Sequence, residues 1–305
     1  MKKYIGTRLI ESLAAILVIT ILVFALTHMS GSPVDALLPQ DATQDQIDAL
    51  VAQWGLDQPL AVQYLTFLKN ALAGDFGDSL KWRGYSAMGV VLDRFPQTLL
   101  LGGVAVAISV IVAIPLGVMA AMNRNGPLDR GAQIFSLFGQ SVPQFWFAIL
   151  LIWFLAVALQ LVPTSGSGSW RHLILPAIAM AWFQIAALSR LTRSAMLDVL
   201  DAEYIKLARV KGVREARVVW VHALRNAAVV PLTYFGVLAG SVLTGSVTIE
   251  TVFSWPGLGW VAIEAIRARD FPVVQAVVVI FAIIYIVSNF LVDILNAYID
   301  PRVRS

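Results

Sequence analysis

The chain has 305 residues, 58% of them hydrophobic and only 13% charged, with a mean hydropathy of +0.77 and a formal net charge of +3; a soluble domain carries about a quarter charged residues. That balance excludes a soluble enzyme, because so few charges cannot cover a globule of this size and still keep several long uncharged runs out of water. There is no cysteine, hence no disulfide, thiolate metal site or cysteine nucleophile, and His28, His172 and His222 show no metal-ligand spacing.

A helix that crosses a bilayer core needs roughly 20 apolar residues. In chain order, uncharged runs of that size predict six helices, near 9–29, 97–121, 133–159, 173–194, 228–249 and 273–298, which makes the fold class an all-α integral membrane protein with six transmembrane helices. The first run follows Lys2, Lys3 and Arg8, yet it exceeds a signal-peptide core and His28-Met29-Ser30-Gly31 offers no small-x-small cleavage site, so it reads as a retained span. The fourth is the shortest, with Pro176 inside it, and snorkelling by Arg190 and Arg193 lengthens it. With the N-terminus inside, Lys2, Lys3, Arg8, Arg124, Arg130 and the basic run from Arg190 to Arg225 all face the cytoplasm, as do Arg302 and Arg304. The orientation is therefore N-in and C-in.

Residues 1–96 then comprise the first span and an extracytoplasmic loop, and 97–305 form a five-helix core with a cytoplasmic loop at 195–227. The outer loop carries turn signals at Pro33, Gly55, Pro59, Gly74 and Gly77, and predicts helices near 43–53, with Thr43 as N-cap, and near 58–71. It holds eight Asp against four basic residues. A solvated folded cap outweighs direct substrate binding as the reading of such a loop.

The cytoplasmic stretch from Arg190 to Arg225 holds eight basic and four acidic residues. Asp201 is placed as an N-cap, Glu203 falls in a first helical turn, Lys206, Arg209 and Lys211 lie toward its end, and Gly212 follows as a C-cap, so charge matches the helix dipole throughout. Tyr204, Leu207 and Ala208 share one face of this helix at i, i+3, i+4 and require an apolar surface to dock on. Lipid headgroups and a groove on a cytoplasmic partner both satisfy that requirement, and periodicity favours neither. Arg190, Arg193, Arg225 and Asn226 are candidates for anchoring at the inner face.

Within the spans, Gly236 and Gly240 stand at GxxxG spacing, continued by Thr244 with Ser241 adjacent, and suit helix packing ahead of pathway lining. Gln184 is a polar candidate for either role, and Asp293, near the cytoplasmic end of the last span, is read as the partner of an inner-face arginine. No GxxxxGK[ST] occurs, so the chain cannot cradle nucleotide phosphates through a P-loop, and no catalytic groups converge. Nothing points to a nucleic-acid partner. A stand-alone secondary transporter is the competing reading, disfavoured by the lack of carboxylate pairs in the spans and of an inverted repeat.

Several segments carry a family resemblance. Glu203-Tyr204-Ile205-Lys206-Leu207-Ala208-Arg209-Val210-Lys211-Gly212, followed by His222-Ala223-Leu224-Arg225-Asn226-Ala227, resembles the coupling loop of binding-protein-dependent ABC importer permeases, and in particular the first permease of the dipeptide/oligopeptide/nickel type. Leu56-Asp57-Gln58-Pro59-Leu60, Gly74-Asp75-Phe76-Gly77, Glu250-Thr251-Val252-Phe253-Ser254-Trp255-Pro256-Gly257 and Arg269-Asp270-Phe271-Pro272 extend the likeness along most of the chain. Val210 and Pro231 depart from the pattern, the second implying a shifted start for span five. The resemblance implies that the loop helix seats on a cytoplasmic ATPase, with Glu203 and Gly212 at the motif's acidic and glycine positions and Ala208 at a small one. It further implies a second related permease, two ATPase subunits that carry ATP and Mg while this chain binds no cofactor, and an extracytoplasmic solute-binding protein. The location implied is a bacterial or archaeal cytoplasmic membrane. The solutes of that family include peptides, foremost by base rate, and also nickel complexes, glutathione and sugars.

Overall fold

The computed structural model describes residues 2–29, 43–45, 48, 51–52 and 55–299; side chains at 2–5, 235–245, 291–293 and 295–299 lie outside that description. Of the expected helix near 43–53, residues 44–45, 48 and 51–52 are helical, Thr43 is described and non-helical, and the others lie outside the described residues. The described residues are mostly helical, in two compact units. One comprises residues 1–98 and 256–290, the other 99–255 and 291–305.

In the first unit, α1 (Lys2–Met29) packs against α2 (Leu60–Leu72). Tyr64 of α2 sets its ring edge-on to Phe24 at 5.5 Å and its hydroxyl 3.0 Å from the Thr20 hydroxyl, while His28 Nε2 lies 2.9 Å from Gln63 Oε1. Long α3 (Ala87–Met122) begins ten residues before the position its apolar run predicts. Ser86 explains the earlier start, because its side-chain oxygen accepts from the Gly89 N–H at 3.1 Å and satisfies a donor that the first helical turn leaves unpaired. Its 36 residues span about 54 Å, well beyond a bilayer core. Phe76, Ala87, Val91, Leu258, Val261, Ala265, Val273 and Val277 form the core of this unit. A cavity of about 770 Å³ opens between α1, α2 and the chain near Gln275.

The second unit is organised around α6 (Trp170–Leu200), whose middle is almost entirely buried from Leu175 to Ser189. Here the third predicted span is corrected. Residues 133–159 do not form one helix, for the chain breaks between α4 (Pro127–Ser141) and α5 (Gln144–Leu151), and the two directions differ by 107°. Pro143 is the cause: it lacks the N–H for the helical ladder, its ring would meet the carbonyl four residues back, and it pushes Val142 into the extended region, φ −83° and ψ 124°. A π-helical stretch, Ile152–Ala158, continues α5. Two glycines allow α6 its close neighbours. A Cβ on Gly139 would come within 2.4 Å of Ala186 Cβ, and one on Gly117 within 2.6 Å of the Ser189 carbonyl.

After α6 come α7 (Glu203–Val210), α8 (Glu215–Arg217), a π-helical turn at Val218–Ala223, α9 (Leu224–Ala227) and α10 (Val229–Val252). Pro231 is the third residue of α10, where its missing N–H removes a donor the first turn could not use. The chain ends through α11 (Leu258–Arg267) and α12 (Phe271–Ile299). Among the described residues four helices are long and apolar enough to cross a membrane, in α1, α3, α6 and α12, and the bent α4–α5 pair makes a fifth if it counts as one span.

Candidate functional site

Helix α7 forms where the charge pattern places it, but its cap and its buried face differ from expectation. Asp201 is not its N-cap. It is the C-cap that follows Leu200 at the end of α6, in right-handed geometry, and its carboxylate lies 3.6 Å from Arg124. Ala202 precedes α7 in extended geometry without a side-chain cap. At the other end the glycine reading holds: Gly212 has φ +74°, its N–H donates to the Arg209 carbonyl at 2.9 Å, and the Val213 N–H reaches back to the Ala208 carbonyl at 3.2 Å. Those two bonds make a Schellman end, which terminates the helix and satisfies carbonyls it would otherwise leave open.

The helix is seated by a residue the face analysis passed over. Ile205 is completely buried, in a cluster with Val118, Ala121, Ala195, Met196, Val218 and Val219, and Ala208 one turn on packs against the same cluster. Tyr204 and Leu207 point the other way, 46% and 53% exposed, with Val210 at 84% beside them. The predicted trio therefore divides, Ala208 inward and the other two outward. The exposed apolar side of α7 is the row Tyr204, Leu207, Val210.

Ion pairs brace the seat. Arg209 donates to Glu215 through Nη2 at 2.8 Å and Nε at 3.2 Å. That hydrogen bond holds the Glu215 carboxylate below the ordinary glutamate range and lifts the Arg209 guanidinium. Lys206 donates to Glu203 at 2.7 Å, and the bond raises the Lys206 ammonium. Both groups of that second pair are exposed, so it contributes little stability. Lys211, Arg190, Arg225 and Asn226 are exposed; Asn226 donates to the His222 carbonyl at 3.0 Å.

Arg193 is engaged inside the unit. Its guanidinium grips the completely buried Asp129 of α4, Nη2 to Oδ2 at 2.8 Å and Nε to Oδ1, and the Asn125 N–H adds a third bond to Asp129 at 2.9 Å. Further along α6, Gln184 is buried and its Oε1 accepts from Ser109 Oγ of α3 at 2.9 Å, while Ser136 and Ser189 hydroxyls meet at 3.3 Å. Gly236, Gly240, Ser241 and Thr244 lie in α10, with side chains outside the described residues. So does the side chain of Asp293. Among acids near the spans the sequence reading weighs only that one, whereas the structure buries Asp129, Glu250 and Asp270.

Asp270 anchors a second node, in the first unit. It accepts from Ser79 Oγ at 2.5 Å, from the Lys81 N–H at 3.0 Å and, more weakly, from the Val273 N–H at 3.4 Å at the start of α12. Lys81 also pairs with Glu264 of α11, and that bond keeps the Glu264 carboxylate below its usual 4.5. A carboxylate depressed on folding stabilises the fold above its unfolded value and loses that contribution as pH falls through the folded one. Thermal unfolding of Glu264→Gln should therefore differ from the unaltered protein at neutral pH and converge with it in acid. A difference that persists unchanged well below pH 4.5 would show that the pair is inert.

The comparisons with known proteins agree with this architecture. Residues 113–305 match the family described as binding-protein-dependent transport system inner membrane component, and residues 1–102 match its N-terminal companion. The oligopeptide transport system permease protein AppB of Bacillus subtilis is 38% identical over 315 residues, covering all of both chains. The di/tripeptide transport system permease protein DppB of Pseudomonas aeruginosa is 38% identical over 334 residues, covering all of this chain and 99% of the relative. The glutathione transport system permease protein GsiC of Escherichia coli K12 is 37% identical over 305 residues, with the same coverage. In fold, the crystal structure of an amino acid ABC transporter with histidines superposes with a TM-score of 0.53 at 16% identity, over 68% of this chain and 94% of that one. Matched along nearly its whole length, the chain belongs to the family of inner-membrane components of binding-protein-dependent transport systems.

Proposed function

We propose that this chain is one of two related permeases of an ATP-driven importer, forming half of a pathway for di- or oligopeptides handed over by a solute-binding protein. Two cytoplasmic ATPase subunits supply ATP and Mg chemistry, and this chain binds neither. Residues 97–305 make the permease core and 1–96 the first span with the outer loop, in a six-span, N-in and C-in arrangement. The carrying observation is α7, a short preformed helix held from beneath by Ile205 and ended by Gly212, with Tyr204, Leu207 and Val210 turned outward. A cleft on an ATPase suits such a row, and membership of a binding-protein-dependent transport family supports that occupant over lipid headgroups. The peptide class is supported by the full-length oligopeptide and di/tripeptide permeases among the relatives, and glutathione is itself a tripeptide.

Leu207→Glu tests the docking, since it places a charge on the exposed row without touching the seat. The variant permease should insert normally while ATPase co-purification and peptide uptake both fall by tenfold or more, on the order of 1.4 kcal/mol of lost association. Unchanged co-purification beside unchanged uptake would reject the docking role. A lone chain that carried peptide without any ATPase would reject the importer reading in favour of a secondary transporter.

A further inference from the structure

We infer that the pair formed by buried Asp129 and half-buried Arg193 is a positioning element that makes α4 follow α6 when α7 moves, and thereby sets how much solute is moved per ATP hydrolysed. The inference rests on the reading of α7 as the coupling helix. Ile205 of α7 and Met196 of α6 share one buried cluster, so a displacement of α7 is delivered to α6 at Met196. Arg193 lies one turn away on the same helix. It reaches across to Asp129 in the first turn of α4, and Asp129 in addition holds the Asn125 N–H of the preceding turn. One carboxylate thus joins α6, the start of α4 and the connection from α3.

Elsewhere the α4–α6 surface holds Gly139 against Ala186 and Ser136 against Ser189, small groups that let the two helices approach closely, and Phe135 set edge-on to Trp182 at 4.8 Å. Those packing contacts are non-directional or weak, whereas fork-shaped hydrogen bonding of a guanidinium to a carboxylate is directional and fixes the start of α4 to α6. Stability alone is a poor reason for burying such a pair, because apolar side chains of similar volume often hold two helices as firmly. Beyond Asp129, α4 runs as one rod to the break at Pro143, so a shift at its start reaches the bend and the head of α5.

The test uses the assembled importer, with its partner permease and ATPase, in liposomes supplied with binding protein and radiolabelled trialanine. Asp129→Asn combined with Arg193→Met removes the fork and both charges, while the amide oxygen still accepts from the Asn125 N–H. This double variant should assemble with the ATPase and hydrolyse ATP, but uptake per ATP should fall on the order of tenfold. Arg193→Lys, which keeps the charge and loses the fork, should show a smaller fall. An unchanged ratio in an assembled variant overturns the inference. Failure of all variants to assemble also overturns it, since the pair is then only structural. The underlying reading fails separately: an unaltered complex that hydrolyses ATP without moving trialanine rejects peptide import, and Leu207→Glu with full ATPase co-purification rejects the coupling helix.

Discussion

Ile205→Ala should cost more transport than any exposed substitution on the loop, although Ile205 is buried within the chain itself. Its side chain is completely buried where the ends of α3 and α6 meet the π-helical turn at Val218–Ala223. Removing those methyl groups deletes burial and leaves a cavity, together about 2–5 kcal/mol. Helix α7 has only eight residues. Helices that short are marginal in water on their own, so this one exists because it is seated. The loss therefore exceeds what α7 can spare, and the helix comes off its cluster while the spans stay inserted. Amide hydrogen exchange over residues 203–211 should accelerate by at least tenfold, with ATPase co-purification and uptake falling together. Gly212→Val should act in the same direction more mildly. Nothing lies within 4 Å of a Cβ placed there, so its cost is the left-handed backbone alone, about 1–2 kcal/mol. Unchanged exchange in Ile205→Ala would mean that the Arg209–Glu215 pair and the Schellman end suffice to hold the helix.

Asp270→Ala should be the most destabilising change in the first unit. The carboxylate is buried and receives the Ser79 hydroxyl and the Lys81 and Val273 backbone N–H groups. Alanine strands those donors away from water, at about 1–3 kcal/mol each for groups that find no substitute. Ser79 stabilises a turn of its own, accepting from the Trp82 N–H at 2.9 Å. The chain from 78 to 86 forms a small hairpin closed by an isolated antiparallel bridge between Asp78 and Ser86, and losing Asp270 therefore loosens it and frees the first turn of α12. Protease should cut between Lys81 and Tyr85 at a rate at least tenfold above the unaltered protein, and thermal unfolding in detergent should shift down by several degrees. Asp270→Asn keeps one acceptor and should fall between the two. Equal proteolysis in Asp270→Ala and the unaltered chain would show that the hairpin is held by the apolar core around Phe76 and Leu258 instead.

Much of the architecture is legible in the residues because the signals are local. A bilayer demands long uncharged runs, and α1, α3, α6, α10 and α12 overlie those predicted, with ends displaced where a local cap acts, as Ser86 does for α3. Gly212 announces the end of α7, since a left-handed residue after a charged amphipathic run needs only glycine's missing Cβ. Pro143 equally announces the break between α4 and α5, and the expectation of one helix there failed by letting hydropathy outweigh a missing N–H. Other features depend on partners far away in sequence. Which side of α7 turns inward could not be read from period alone, because Ile205 and Leu207 are equally apolar, and only the cluster formed by α3, α6 and the π turn selects the first. Asp129 finds Arg193 across 64 residues, and Asp270 finds Ser79 across 191. Each acid sits near an apolar run where a sequence reading sees only a flanking charge. Tertiary packing decides them, because a buried carboxylate persists only where the fold brings enough donors to replace water.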